Sequence, residues 1–276
     1  MMINLIETLG VNRSVHVAGD GPPLLMLHGF TGTMATWEPF IQKWSKRYKI
    51  IAVDIVGHGQ TTAPNHISYY TMEHEASALI ECLDVLAIEK VNILGYSMGG
   101  RLALYMKVHH PERVGNLILE SSSPGLIESS ERKERKNRDD ALADRIMTKG
   151  LEAFVDDWEQ LPLFATQKNL PLDKRQAIRT ERMGQTAEGL ANSLRGMGTG
   201  IQPSLWNDLS SISDKVYFIA GHLDQKFLDI GKRMVNRAPD GKLNVITQTG
   251  HAVHVEQPEI FDKIVYDDFY HLLTDG

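Results

Sequence analysis

Short apolar runs alternate along this chain with longer stretches whose apolar positions recur every three or four residues. The first pattern reads as buried strands and the second as amphipathic helices. Their alternation predicts an α/β fold: a mainly parallel sheet with helices on both faces. Strands are expected over residues 23–28, 50–54, 91–95, 114–120, 216–220 and 243–247. Ahead of them, residues 4–9 and 14–18 flank Gly10-Val-Asn-Arg13 and read as an opening hairpin. Helices are expected over residues 34–44, 70–86, 99–109, 229–237 and 258–273. In the second of these, Ala76, Leu79, Ile80, Leu83 and Leu86 mark the inward stripe. Cys82, beside that stripe, reads as a small packing residue.

The alternation stops between Ser121 and Leu209, where helical periodicity takes over. Phe154, Trp158 and Leu161, at steps of four and three, form one apolar stripe there. The segment is too long for a single crossover helix. A helical cap is therefore expected over residues 121–210, inserted between two strands, with 1–120 and 211–276 forming the core. Near the end of the cap, Gly196-Met-Gly-Thr-Gly200 follows a helix and lacks dinucleotide-loop spacing. It reads as a flexible return loop.

Composition narrows the classes. The chain has 276 residues, 42% hydrophobic and 23% charged, the profile of a folded globular protein. A net charge of −6 disfavours nucleic acid and anionic membrane as partners. One cysteine excludes an internal disulfide framework and a multi-cysteine zinc site. No run approaches the length of a membrane span, and residues 1–10 lack the basic start of a signal peptide, so a cytoplasmic location is expected. The charge is unevenly spread. Residues 121–210 hold eight of the fourteen arginines and a net charge of −1, leaving −5 for the rest.

Chemistry concentrates where strand 91–95 runs into Gly95-Tyr-Ser97-Met-Gly99 and then a helix. Glycines on both sides of a serine permit the sharp turn that lifts the hydroxyl above the sheet edge. A serine hydroxyl needs an imidazole to take its proton. His251, in the loop after strand 243–247, is the candidate, and Asp224, after strand 216–220, is the candidate acid that orients it. Glu120 and Asp54 also end strands and remain alternative acids. His254 lies in the same loop as His251 and reads as a supporting residue. Backbone amides of Met98, just after the serine, and of Phe30, in His28-Gly-Phe-Thr-Gly32, are the expected oxyanion donors. In the cap, Arg135 and Arg138 precede Leu142 by seven and four residues, so both are expected to face inward. An inward arginine calls for an anionic partner. Arg101, one turn after Ser97, can border the same cavity. No convincing metal cluster is present, and no metal or organic cofactor is expected.

The three signals together, His28-Gly-Phe-Thr-Gly32, Gly95-Tyr-Ser97-Met-Gly-Gly100 and Gly221-His-Leu-Asp224 with Gly250-His251, resemble the α/β-hydrolase superfamily. A closer likeness adds Arg101, Glu120-Ser-Ser-Ser-Pro-Gly125, Glu131-Arg-Lys-Glu-Arg135, Asp157-Trp158, Gln202-Pro203 and Lys226-Phe227. These resemble the 2-succinyl-6-hydroxy-2,4-cyclohexadiene-1-carboxylate synthases of menaquinone biosynthesis. The resemblance implies an α/β-hydrolase fold and a lyase that removes pyruvate from a small tricarboxylate. It also implies substrate-binding roles for Arg101 and Arg135, for Arg182 or Arg179, and for Tyr96 and Trp158. The alternatives are a serine hydrolase, either a carboxylesterase or a carbon–carbon bond hydrolase, and a non-catalytic small-molecule sensor. Nothing in the sequence specifies an oligomeric partner.

Overall fold

The computed structural model describes residues 3–270. Among them eight strands form one sheet: β1 (Ile3–Thr8), β2 (Val11–Ala18), β3 (Pro23–Leu27), β4 (Lys49–Val53), β5 (Val91–Tyr96), β6 (Val114–Glu120), β7 (Val216–Gly221) and β8 (Gly241–Ile246). Their order is β1-β2-β4-β3-β5-β6-β7-β8. Pairings of β1 with β2 and of β2 with β4 are antiparallel, and every later pairing is parallel. The central strands are buried on both faces, which is why they read as unbroken apolar runs.

The period of two assigns each residue to a face. Leu25 and Leu27 of β3 pack with the helices α2 (Met72–Val85) and α3 (Met98–His109) on one side. Leu24 and Met26 face the other side, where Trp37 and the helices α1 (Glu38–Trp44), α9 (Val253–Glu256) and α10 (Pro258–Lys263) cover them. Cys82 is buried in the first of these cores, and burial raises its thiol pKa to about 11, as befits a packing residue. Between β6 and β7 run α4 (Ser129–Lys149), α5 (Leu151–Glu159), α6 (Leu172–Met183) and α7 (Ala187–Met197). They gather an apolar cluster of their own around Ile146, Phe154, Val155 and Leu190. Helix α8 (Gln225–Val235) follows β7. Among the described residues, no helix is long and apolar enough to cross a membrane, and no metal-holding cluster of His, Cys, Asp or Glu is found.

Three elements differ from the expected ones. The opening turn is Leu9-Gly10, not Gly10–Arg13, and both turn residues have positive φ (47° and 77°). Two such residues match the twist of a two-residue hairpin, so pairing resumes at Val11. Arg13 therefore lies in β2, fully buried, its guanidinium 2.7 Å from Glu75 of α2. Helix α8 starts at Gln225, four residues early, because Asp224 caps it by accepting from the Phe227 amide. The helix expected to start at 258 is α10 followed by a wider turn, Ile264–Phe269, and residues 271–273 of that expectation lie outside the described residues.

His28 and His58 are enclosed beneath the loop that follows β3. Burial lowers the His28 pKa to about 4 and that of His58 to about 3, so both are neutral in the folded protein. In the unfolded chain both would take up protons below about pH 6.5. The folded state therefore loses stability as pH falls through that value and towards the folded pKa values. We expect His58→Asn to flatten the pH dependence of urea unfolding by about 1.4 kcal/mol per pH unit between about pH 5.5 and 4.5. An unchanged slope would show that His58 does not titrate in this way.

Candidate active site

Strand β5 ends at Tyr96 and α3 begins at Met98, so Ser97 carries the whole turn between them. It takes φ 50° and ψ −104°, a conformation that costs a residue with a Cβ free energy. The turn closes because its neighbours lack side chains. A Cβ on Gly95 would sit 2.5 Å from the Gly99 carbonyl oxygen, and one on Gly99 would sit 2.3 Å from the Leu27 carbonyl oxygen. The Ser97 amide donates to the Glu120 carbonyl of β6, and the Arg101 amide donates to the Ser97 carbonyl. The strain is thus held by the sheet on one side and the helix on the other.

Above this turn, His251 Nε2 lies 3.1 Å from Ser97 Oγ, and His251 Nδ1 lies 2.6 Å from Asp224 Oδ2. With the proton on Nδ1 donating to the carboxylate, Nε2 is left to accept from the serine hydroxyl. Both His251 and Asp224 are buried. The alternative acids are occupied elsewhere. Glu120 accepts from the His254 ring, whose Nδ1 lies 2.8 Å from Oε2, and from the His254 amide. Asp54 accepts from the Met34 and Gln60 amides. His254 Nε2 accepts in turn from the Thr36 hydroxyl, which makes it a support for the His251 loop.

The Met98 amide opens α3, where helix geometry gives it no acceptor within the helix. The Phe30 loop is held against the elbow. A Cβ on Gly29 would come within 2.6 Å of the Tyr96 ring and 3.6 Å of Ser97 Cβ. His28 fixes that loop from below: Nε2 accepts from the Ile55 amide and Nδ1 donates to the Gly29 carbonyl. It is a structural histidine. From above, Glu181 of α6 accepts from the amide and hydroxyl of Thr33, each at 2.7 Å. Gln185, just past α6, donates to the Thr31 and Gly32 carbonyls and accepts from the Gly59 amide. Burial raises the Glu181 pKa, against the hydrogen bonds from Thr33. Neither Glu181 nor Gln185 was among the expected residues, since neither sits in a recognisable motif.

The cap side chains separate clearly. Arg101 donates to the Met197 carbonyl at 2.7 Å and to Gln202 Oε1 at 2.9 Å. Burial, and then the nearby Arg135 guanidinium, lower its pKa to about 10. Arg135 donates through Nε to Asp139 Oδ1 at 2.8 Å. Arg138 does not face inward as expected: its side chain is 67% exposed, with Glu134 at 3.8 Å. The buried stripe of α4 runs through Asp139, Ala143 and Ile146, so Arg135 lies on it and Arg138 lies a step of about 100° away. Arg182 is buried, donates to Glu159 and Gln167, and stacks over Phe164 at 4.9 Å. Arg179 is 37% exposed and paired with Asp156 and Glu159. Arg182, not Arg179, lines a cavity of about 70 Å³ with Phe30, Tyr96 and His254. Trp158 packs 5.4 Å from Phe30, and its buried indole N–H has no partner among the described residues. Lys226, which the sequence offers only as part of a motif, joins this side. Partial desolvation and then the Arg135 guanidinium lower its pKa.

A profile of the α/β-hydrolase fold matches residues 22–258, which span the elbow and most of the sheet. The chain belongs to the α/β-hydrolase family. Within that family it is 43% identical over 267 residues to a putative 2-succinyl-6-hydroxy-2,4-cyclohexadiene-1-carboxylate synthase of Bacillus subtilis, covering 95% of this chain and 96% of that one. A synthase of the same name from Serratia proteamaculans is 29% identical, covering 88% and 91%. Among solved structures, MenH from S. aureus superposes with a TM-score of 0.90 at 35% identity, covering 96% of this α/β hydrolase and 99% of MenH.

The geometry distinguishes the candidate acids by experiment. A fluorophosphonate that captures activated serines is expected to label Ser97. Asp224→Asn is expected to slow labelling by up to about 10⁴-fold, the size of a lost triad aspartate. Glu120→Gln is expected to leave the labelling rate close to wild type while lowering stability, since it breaks a buried pair. Mass spectrometry of the adduct against time reads the difference; equal slowing by both variants would contradict the assignment.

Proposed function

We propose that the chain is a carbon–oxygen lyase that eliminates pyruvate from 2-succinyl-5-enolpyruvyl-6-hydroxy-3-cyclohexene-1-carboxylate, giving 2-succinyl-6-hydroxy-2,4-cyclohexadiene-1-carboxylate. The observation that carries this reading is the pairing of an intact Ser97–His251–Asp224 row with inward arginines. A simple ester needs no guanidinium groups held on the inner face of a cap. A tricarboxylate does, and Arg101, Arg135 and Arg182 supply them. The names of the relatives agree with this choice of substrate.

In this mechanism Ser97 acts as a base. His251 accepts the hydroxyl proton, and the alkoxide removes the ring proton beside the succinyl ketone. The C–H electron pair forms a new ring double bond, the existing ring double bond shifts, and the carbon–oxygen bond to the enolpyruvyl group breaks. The leaving enolate takes up a proton and becomes pyruvate. Negative charge that develops on the ketone oxygen is met by the Phe30 and Met98 amides. Donors of this kind contribute about 2.7–4 kcal/mol each to lowering such a barrier. Tyr96 lines the cavity beside Arg182, and Trp158 packs on Phe30 with an indole N–H that has no partner among the described residues. All of these steps are carried by side chains and amides of the chain itself.

The test is a coupled assay that supplies the enolpyruvyl substrate and follows pyruvate, beside a nitrophenyl-ester assay. Wild type is expected to release pyruvate, and Ser97→Ala, Asp224→Asn and His251→Ala are each expected to lose at least about 10³-fold in kcat. Near-normal turnover by Ser97→Ala would remove the serine from the base role. Turnover of the ester alone would make the protein a serine hydrolase.

A further inference from the structure

The glycine-rich segment at the end of the cap is not a loose return loop. Residues 196–202 leave α7 and wedge between α4 and the first turn of α3, with Gly196, Met197, Gly198, Gly200 and Gln202 all buried. Each glycine abuts something a methyl group would strike. A Cβ on Gly196 would lie 2.7 Å from the Tyr70 carbonyl oxygen, and one on Gly198 would lie 2.7 Å from Asp139 Oδ2. One on Gly200 would lie 2.2 Å from the Lys136 amide nitrogen of α4. The glycines thus permit backbone contact with α4 at the turn that carries Arg135 and Asp139.

The same segment grips Arg101. Its Met197 carbonyl and its Gln202 side-chain oxygen both accept from one guanidinium nitrogen, NH1. That leaves NH2 and Nε of Arg101 without an acceptor among the described residues. Gln202 is fully buried, and its Nε2 has no partner among the described residues, so Arg101 orients the amide. On the α4 side, Asp139 is 4% exposed; Oδ1 accepts from Arg135 Nε, and Oδ2 has no partner among the described residues. The two terminal nitrogens of Arg135 have no acceptor among the described residues. Arg101 has neutral acceptors and the Asp139 carboxylate meets Arg135, so the two guanidinium groups together leave one net positive charge. Two preset forks and one uncompensated charge match a carboxylate.

We propose that residues 196–202 and Asp139 form a preorganising clamp, in which Gln202 and Asp139 are positioning residues that fix Arg101 and Arg135 as a joint subsite for one substrate carboxylate. The clamp rests on the polycarboxylate reading of the site. It adds that affinity depends on two residues with no contact to the reacting atoms.

The test measures the Kd of propane-1,2,3-tricarboxylate by calorimetry, beside KM and kcat for pyruvate release. Asp139→Ala and Gln202→Ala are each expected to raise Kd and KM about tenfold, the scale of a charge-assisted hydrogen bond, with kcat within about twofold. Asp139→Asn keeps the oxygen that faces Arg135 Nε and is expected to recover most of that loss. Gly200→Ala, which pushes on α4 from the far side, is expected to weaken anion binding in the same sense. Unchanged Kd and KM in both alanine variants would overturn the clamp. So would a fall in kcat at constant KM, or an asparagine variant no better than alanine. A wild type that binds the tricarboxylate through this clamp but releases no pyruvate would support the subsite and count against the lyase reading alone.

Discussion

The close approach of two backbones governs this molecule. The chain leaving β3 and the chain entering α3 meet so tightly at Gly99 that one methyl group would collide with the Leu27 carbonyl. That contact sets Ser97 in its strained conformation and brings the Phe30 loop beside it. It also starts α3 at the height where Arg101, one turn on, reaches the cap. Geometry at the site is therefore fixed by packing in the sheet. The side chains above it inherit positions that they do not have to create.

Electrostatics divides labour between two similar histidines. His251 and His254 are three residues apart, and each faces a carboxylate at the end of a strand. His251 meets Asp224 from β7 and turns its other nitrogen to Ser97. His254 meets Glu120 from β6 and turns its other nitrogen to Thr36, under Trp37 and Tyr96. One imidazole is left poised and the other is spent on structure. Strand order explains the choice, because β7 lies beyond β6 and places its acid farther along the sheet edge.

The sheet and the elbow were legible in the sequence because period two, glycine placement and strand–helix alternation are local signals. Their outer limits were less so. The hairpin turn moved to Leu9-Gly10 because pairing between strands, not composition, decides where a turn sits. Helical periodicity separated α4 into faces but could not distinguish Arg135 from Arg138, which differ by less than one turn. The acid for His251 was picked by its position one strand–helix unit before that histidine, while its competitor, Glu120, had a destination no pattern reveals. Glu181 and Gln185 were invisible for the same reason. Their partners lie far away in sequence, and only the folded chain brings them together.

The helices between β6 and β7 have a consequence for how such a chain can change. Leu117 pairs with Val216, so the sheet closes across the whole insertion as if it were a single connection. The entropy of closing a loop rises only with the logarithm of its length, about 0.6 kcal/mol for each doubling. Lengthening or shortening the insertion therefore costs the sheet little. The scaffold that sets the serine and histidine can thus tolerate a changed insertion wherever the change spares the contacts that tie the two together, those of Glu181, Gln185 and Met197.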